Sequence, residues 1–126
     1  MGMHFIFAES ILNAEGKEVE LYIEDEIDKF IYEIKEYIDV ISKGSADVLI
    51  DLEPYDDEVL LKDKIEKLLV LGKTLLDKEL IEHLKYLKLF NRYDIDEKEY
   101  IDFANDLINV CSKAIKENKK IVSLGD

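Results

Sequence analysis

At 126 residues the chain has the size of one domain, and two separate cores would each be marginal because small domains bury proportionally less surface. Hydrophobic residues make up 48% of the chain and charged residues 37%, which excludes a disordered chain and predicts one core with a heavily ionised exterior. The 30 Asp and Glu against 17 Lys and Arg give a formal net charge of -13, which makes nucleic acid and anionic membranes poor direct partners and basic proteins better ones.

Cysteine usage and the amino-terminal residues bear on the compartment. The single cysteine, Cys111, cannot form an internal disulfide, whereas small secreted domains usually carry several cysteines. The opening residues lack the basic segment and the long apolar run of an export signal, and Ile6 stands where a myristoylated Gly2 would require Ser or Thr. We therefore expect a cytoplasmic protein.

The first part of the chain predicts an extended piece followed by a long helix. No internal repeat or flexible linker divides residues 1–126, so we expect a single domain. Met3 to Ala8 is apolar with two aromatic residues and is suited to a short strand, while Ala8 to Ala14 could equally form a helical turn. We expect a short extended piece that ends near Asn13 to Gly16. From Val19 onward, apolar residues recur every three or four positions, which predicts one amphipathic helix that Gly44 would end. This apolar stripe consists of Ile23, Ile27, Phe30, Ile31, Ile34, Ile38 and Ile41.

The middle of the chain predicts a linker and a second helix. The segment from Asp47 to Pro54 mixes β-branched residues with acids before a proline, so we expect an extended linker or an edge strand. Asp56 or Asp57 then caps a helix that reaches about Leu76. Gly72 is expected to mark a kink or the end of that helix.

Two further helices follow. One is predicted from about Asp77 to Phe90, and the last begins where Asp96 and Glu99 have the spacing of a capping box. Residues 121–124 are expected to dock on the body as a short terminal piece. The predicted fold is therefore mainly α, an antiparallel helical bundle of four to five helices with a short extended N-terminal segment.

The negative charge is concentrated in residues 18–58, which we call the acidic segment. It contains 15 acids and three lysines, whereas residues 59–126 contain 13 acids and 13 bases. Few of these acids have a lysine at i+4, so neighbouring like charges slightly destabilise the helix that carries them. Because this repulsion lowers stability and does not help folding, we expect that the acids serve binding.

Tyrosines are interleaved with these acids. Carboxylates steer a basic partner and aromatic rings anchor it, so together they predict a protein interface with fast association. The predicted partner-binding residues are Glu24, Asp25, Asp28, Tyr32, Asp51, Glu53, Tyr55, Asp56 and Asp57. The alternative is that the acids form an ordinary solvated face and the tyrosines lie at the edge of the core.

Residues that usually carry catalysis or bind metal are sparse. His4 and His83 have no second ligand at i+3 or i+4 that would complete a zinc pair, and Cys111 lies on the apolar stripe of the last helix, where a core role is expected. The acidic run from Asp94 to Glu99 lacks the central glycine of a calcium loop and is better explained by helix capping. The five glycines form no phosphate-binding loop. We therefore predict no enzyme activity, no cofactor and no metal site.

In size, acidity, lack of a catalytic motif and lysine- and isoleucine-rich character, the chain resembles immunity proteins of bacterial contact-dependent growth inhibition and related toxin systems. The resemblance covers the whole chain in composition and pattern and includes no motif, so it transfers no site residue. It implies an inhibitor that binds and neutralises a cognate basic toxin with an RNase or DNase domain, and that has no catalysis of its own. The alternative is an acidic helical adaptor or nucleic-acid mimic without a toxin partner. The oligomeric state stays open, since an isoleucine stripe can pack within one chain or across a dimer.

Overall fold

The computed structural model describes residues 2–52 and 56–125, in which four short strands form one antiparallel sheet. The strands are β1 (Gly2–Phe7), β2 (Leu21–Glu24), β3 (Glu58–Leu60) and β4 (Ile121–Gly125), in the spatial order β2-β1-β4-β3. Met3 lies opposite Ile23 in the pairing of β1 with β2, and Ile6 lies opposite Val122 in the pairing of β1 with β4. The first and last strands of the chain are therefore the two central strands of the sheet.

Eight helices accompany the sheet in the described residues. They are α1 (Ile11–Ala14), α2 (Asp25–Glu33), α3 (Lys35–Ile41), α4 (Asp47–Asp51), α5 (Lys62–Leu75), α6 (Lys78–Tyr86), α7 (Leu89–Arg92) and α8 (Glu97–Lys116). Asp96 caps α8 as the sequence predicts, since its carboxylate accepts from the Lys98 backbone N–H at 3.1 Å. Asp77 caps α6 in the same way and accepts from the Leu80 backbone N–H at 3.0 Å. In the described part of the chain, no helix combines the length and the apolar character needed to cross a bilayer.

The predicted mainly α bundle is wrong, because the structure combines its helices with a four-stranded sheet. The extended N-terminal segment was predicted, but it pairs on both sides and is not an appendage. Its pairing partners come from residues 21–24 and 121–125, far apart in the sequence. Hydrophobic periodicity within one segment carries no information on which distant segment pairs with it, so the sheet was missed.

The single long helix predicted from Val19 to Ile41 is also wrong. Its first residues form β2, in which Leu21 and Ile23 are buried and the residues between and after them are exposed. Ile23 has a strand period with Leu21 and a helix period with Ile27, and at Ile23 the strand forms because β1 offers a hydrogen-bonding partner. The remaining helix is interrupted at Ile34, where φ is -100° and ψ is 9°.

Three predictions for the middle of the chain are corrected as well. Residues 47–51 form the short helix α4 instead of a linker or strand, because burial of Val48, Leu49 and Leu52 follows a helical spacing. Pro54 lies outside the described residues. Residues 58–60 form β3 instead of the first turn of a helix. Gly72 does not end α5, since the helix continues to Leu75.

The main core lies between the sheet and the helices, and the packing of α5 against α8 forms its centre. Gly72 permits this close approach, because a Cβ there would lie 2.8 Å from the Ile108 side chain and 3.3 Å from the Ala104 carbonyl oxygen. Phe30, Phe90 and Tyr100 pack as an aromatic cluster with ring centroids 5.2 to 5.9 Å apart. This cluster fixes α2 against α7 and α8.

The other face of the sheet has its own small core. Ile6, Ala8, Ala14 and Val122 are buried together there, under α1 and the loop that leads to it. Both faces of the central strands are therefore buried, which explains why the residues of β1 and β4 are nearly all apolar.

Candidate functional site

The fold divides the predicted partner-binding residues into separate groups. Glu24 ends β2, whereas Asp56 and Asp57 precede β3, and these two strands are the opposite edges of the sheet. Three inter-strand steps separate the edges by about 14 Å. The acids of residues 18–58 therefore do not form one continuous surface, and each group must be considered where it lies.

The first group surrounds a cleft of about 450 Å³ between α2, α4 and the residue that follows α7. We call it the acid–tyrosine cleft, and it is lined by Glu26, Asp28, Lys29, Phe30, Tyr32, Glu33, Ile50 and Tyr93. Its walls carry three carboxylates and one lysine around two tyrosines. Of the predicted residues, Asp28 and Tyr32 line it, while Asp25 lies beside it and pairs with Lys29 at 3.0 Å.

The packing of α2 explains the geometry of this cleft. Its buried face carries Ile27, Phe30 and Ile31, so the acids on the neighbouring positions point to the rim. Phe30 meets the Tyr93 ring edge-on at 6.0 Å between centroids, which brings the residue after α7 against α2. The Tyr93 hydroxyl then donates a hydrogen bond to Glu33 Oε2 at 3.3 Å. One aromatic ring and one carboxylate are thereby held together at the mouth of the cleft.

Asp28 is the most perturbed acid of the cleft. Its side chain is half-buried, and its buried Oδ1 has no hydrogen-bond partner among the described residues. Burial, with a smaller contribution from the negative charge of Asp25, raises the pKa of Asp28 from 3.8 to about 6. At neutral pH the ionised form of this partly buried carboxyl is unfavourable, and a cation that approaches it lowers the free energy of that form.

Tyr32 completes the rim as an exposed ring. Its side chain is 62% accessible, although it follows the buried Ile31 in α2. An exposed tyrosine beside carboxylates offers contact area with few rotatable bonds, a combination that is common where proteins bind one another.

Internal ion pairs leave most of the acidic segment uncompensated. Lys35 bridges Asp39 at 2.9 Å and Asp47 at 3.4 Å, so this lysine serves acids of its own half. Within residues 2–52 and 56–125, the pair between Glu58 and Lys64 at 2.7 Å is the one that joins the acidic segment to a cation from the second half. The charge asymmetry of the sequence therefore persists in the folded protein.

Glu24 belongs to a different groove, between β2 and α8. We call this groove the edge trough; it has a volume of about 250 Å³ and is lined by Leu21, Tyr22, Glu24, Ile27, Glu99, Asp102, Phe103 and Asp106. The carboxylates of Glu99, Asp102 and Asp106 project from one face of α8 towards the end of β2. Of these, Asp102 pairs with Lys98 at 3.0 Å.

The remaining predicted residues lie elsewhere. Asp51 is exposed at the end of α4, one residue after Ile50 of the cleft. Asp57 accepts a hydrogen bond from the Gly125 N–H at 3.1 Å and so caps the end of β4, while Asp56 is exposed beside it. Glu53 and Tyr55 lie outside the described residues.

Several lining residues were not among those predicted from the sequence. Glu26, Glu33, Ile50 and Tyr93 complete the acid–tyrosine cleft, and Tyr93 comes from a part of the chain 60 residues after Glu33. The acids of α8 in the edge trough were missed too. Their spacing of three and four residues on one helix face was a usable signal, but their proximity to β2 was not visible before the sheet was known.

Cys111 and His83 lie apart from the cleft and the trough. Cys111 is fully buried, which confirms the predicted core role, and burial raises the pKa of its thiol to about 12. His83 lies beside Tyr37 with ring centroids 5.2 Å apart, at a groove of about 360 Å³ that also exposes Val40 and Ile41. The described residues contain no group of three or more His, Cys, Asp or Glu arranged to hold a metal ion.

Comparison of the chain with protein-family models, with curated proteins and with solved structures gave no match. The function must therefore be inferred from the geometry and charge of the cleft and the trough.

Proposed function

We propose that this protein is a cytoplasmic inhibitor that binds a basic partner protein through the acid–tyrosine cleft, and that the partner is a toxin with a nuclease domain. The observation that supports the proposal is the set of three carboxylates, Glu26, Asp28 and Glu33, gathered around Tyr32 and Tyr93. The protein itself has no catalytic role in this proposal.

The carboxylates supply long-range attraction and a site for a cation. A basic partner is attracted by the net charge of -13, which raises the association rate at low ionic strength. On contact, a lysine or arginine side chain of the partner can enter the cleft between Asp28 and Glu33. Because the Asp28 carboxylate is partly desolvated, an ion pair with it is screened less than a pair on the open surface.

The aromatic residues supply the short-range part of binding. Tyr32 is exposed and Tyr93 is half-buried, and both border the carboxylates. The faces of tyrosine rings attract lysine and arginine cations, and the rings bury apolar area against the aliphatic part of these side chains. Carboxylates and rings at one place therefore favour arginine- or lysine-rich surfaces over uncharged ones.

A nuclease fits this surface for an electrostatic reason. Its active site is lined by cations that hold the phosphates of the substrate, so a folded polyanion competes for the same residues. The net charge of -13 makes such competition strong at moderate ionic strength. Binding would then block access of nucleic acid without any contact between this protein and nucleic acid.

The proposal is tested by isolating the partner and measuring its inhibition. The tagged protein is used to capture partners from cells that carry the native locus, and the recovered protein is assayed for nuclease activity. We expect a basic nuclease that the wild-type protein inhibits at a one-to-one ratio. We expect the variant with Glu26→Gln and Glu33→Gln to inhibit it at least tenfold less well, because two charges of the cleft are gone.

A matched control separates the cleft from the overall charge. The variant with Glu15→Gln and Glu82→Gln removes the same number of exposed carboxylates from other parts of the surface. It should inhibit like the wild type. Equal loss of inhibition in both variants, or a nuclease that the cleft variant still inhibits fully, would count against the cleft. A basic partner without toxic activity would favour the adaptor instead.

A further inference from the structure

The strand β2 is an outer strand of the sheet. In the described residues it pairs with β1 on one side, and no strand lies on its other side. An outer strand presents a row of backbone N–H and C=O groups that another extended chain can pair with, and proteins usually protect such edges with lysine, proline or a very short strand. The residues Leu21, Tyr22, Ile23 and Glu24 include neither lysine nor proline.

The opposite edge of the sheet is better protected. The outer strand there, β3, has three residues, one fewer than β2. Asp57 lies just before it and binds the Gly125 N–H of the neighbouring strand. The two edges therefore differ, and β2 is the one suited to accept a further strand.

The edge trough runs along this side of β2. Successive residues of a strand point to opposite faces of the sheet, yet Leu21, Tyr22 and Glu24 all border the same groove. A groove bordered by residues from both faces lies at the edge of the strand. Its opposite wall is α8, and Phe103 and Ile27 form its apolar floor.

The charge of the trough selects the kind of chain that can lie in it. The carboxylates of Glu24, Glu99, Asp102 and Asp106 border it, and Lys98 is the cation paired with one of them at 3.0 Å. An extended chain that pairs with β2 would direct every second side chain towards these acids. Lysine or arginine at those positions would meet carboxylates, whereas an acidic chain would be repelled.

We propose that β2 and α8 form a docking site for an extended basic segment of a partner protein, which adds to the sheet as a fifth strand beside β2. Main-chain hydrogen bonds to β2 provide the affinity, and the acids of α8 provide the preference for alternating basic side chains. The basic character of the partner rests on the proposed function. The trough and the acid–tyrosine cleft begin at neighbouring positions, Glu24 and Glu26, so one partner can reach both.

The test uses a defined peptide in place of the partner. An acetylated, amidated peptide of alternating lysine and valine is titrated into the ¹⁵N-labelled protein at near-physiological ionic strength, and binding is followed by NMR. We expect the largest shifts at the amides of residues 21–24. Neutralisation by Glu99→Gln with Asp106→Asn should weaken binding by about tenfold, whereas Glu15→Gln with Glu82→Gln should leave it nearly unchanged.

Methylation of the peptide backbone distinguishes strand addition from simple charge attraction. Two peptides are compared. One carries N-methyl groups on its lysines and the other on its valines, so that each blocks the N–H groups on one edge of the extended chain. In a strand pairing, one register directs its N–H groups towards β2 and the other towards solvent, so only one of the two peptides should lose binding. Equal binding of both, or shifts confined to the cleft, would overturn the proposal.

The two proposals can fail separately. Binding of the peptide beside β2 would support the docking site even if no nuclease is captured. Inhibition of a captured nuclease that is lost when Glu26 and Glu33 are replaced would support the inhibitor function even if the peptide does not bind beside β2. In that case the proposed docking site is wrong.

Discussion

Replacement of Asp28 by asparagine should stabilise the protein at neutral pH. The pKa of Asp28 rises from 3.8 to about 6 on folding, because its carboxyl is partly buried and lies near Asp25. A tenfold change in proton affinity corresponds to about 1.4 kcal/mol, so the upper bound of the cost at pH 7 is about 3 kcal/mol. Solvent screening at the half-buried side chain and the favourable amino terminus of α2 reduce this to about 1–2 kcal/mol.

The sign of the pH dependence follows from proton linkage. Below pH 3.8 Asp28 is protonated in both the folded and the unfolded chain and has no electrostatic effect on stability. Between about pH 4 and pH 6 the folded chain holds the proton more tightly, so this residue lowers the free energy of unfolding as the pH rises. Above about pH 6 the full cost is present, and asparagine removes it.

Urea denaturation at pH 4 and pH 7 measures this difference. The free energy of unfolding of the Asp28→Asn variant should exceed that of the wild type by about 1–2 kcal/mol at pH 7 and by much less at pH 4. The Glu36→Gln variant, at an exposed position of α3, should change it by less than about 0.5 kcal/mol at either pH. A variant with the same stability difference at both pH values, or one less stable than the wild type at pH 7, would refute the reasoning.

Three further predictions concern the core. Gly72→Ala should lower the free energy of unfolding by about 1–2 kcal/mol, because the crowding of its Cβ against Ile108 exceeds the gain in helix propensity; higher stability in urea would contradict this. Tyr100→Phe should raise the free energy of unfolding by about 1 kcal/mol, since the buried Tyr100 hydroxyl has no hydrogen-bond partner in the part of the chain that the structure describes. A loss of stability in the same assay would point to a bond that this hydroxyl makes. Cys111 should react with a thiol reagent only at the rate of unfolding, and fast labelling of the native protein would disprove its burial.

The sequence predicted the later helices better than the first third of the chain. The helix α6 starts at about Asp77 and α8 is capped by Asp96, both as predicted, because a cap and an apolar stripe are local features. In contrast, Leu21 to Glu24 was assigned to a helix, since Ile23 fits a helical period with Ile27 as well as a strand period with Leu21. Only the pairing with β1 decides between them, and that pairing depends on the rest of the fold.

The candidate sites show the same limit. The excess of acids in residues 18–58 could be counted from the sequence, and so could the presence of Asp28 and Tyr32 on one helix. The contact between Phe30 and Tyr93, which forms the wall of the cleft, joins segments that no local pattern connects. The separation of Glu24 from Asp57 likewise follows from strand order and could not be read from spacing.

The central claim is that the acid–tyrosine cleft attracts a basic partner, and the association rate constant tests it most directly. The captured nuclease is mixed with the wild type and with the variant carrying Glu26→Gln and Glu33→Gln, over a range of salt concentrations. The variant should associate about tenfold more slowly at low salt, and its rate should depend less on salt. Association rates and salt dependence that are the same for both proteins would contradict it.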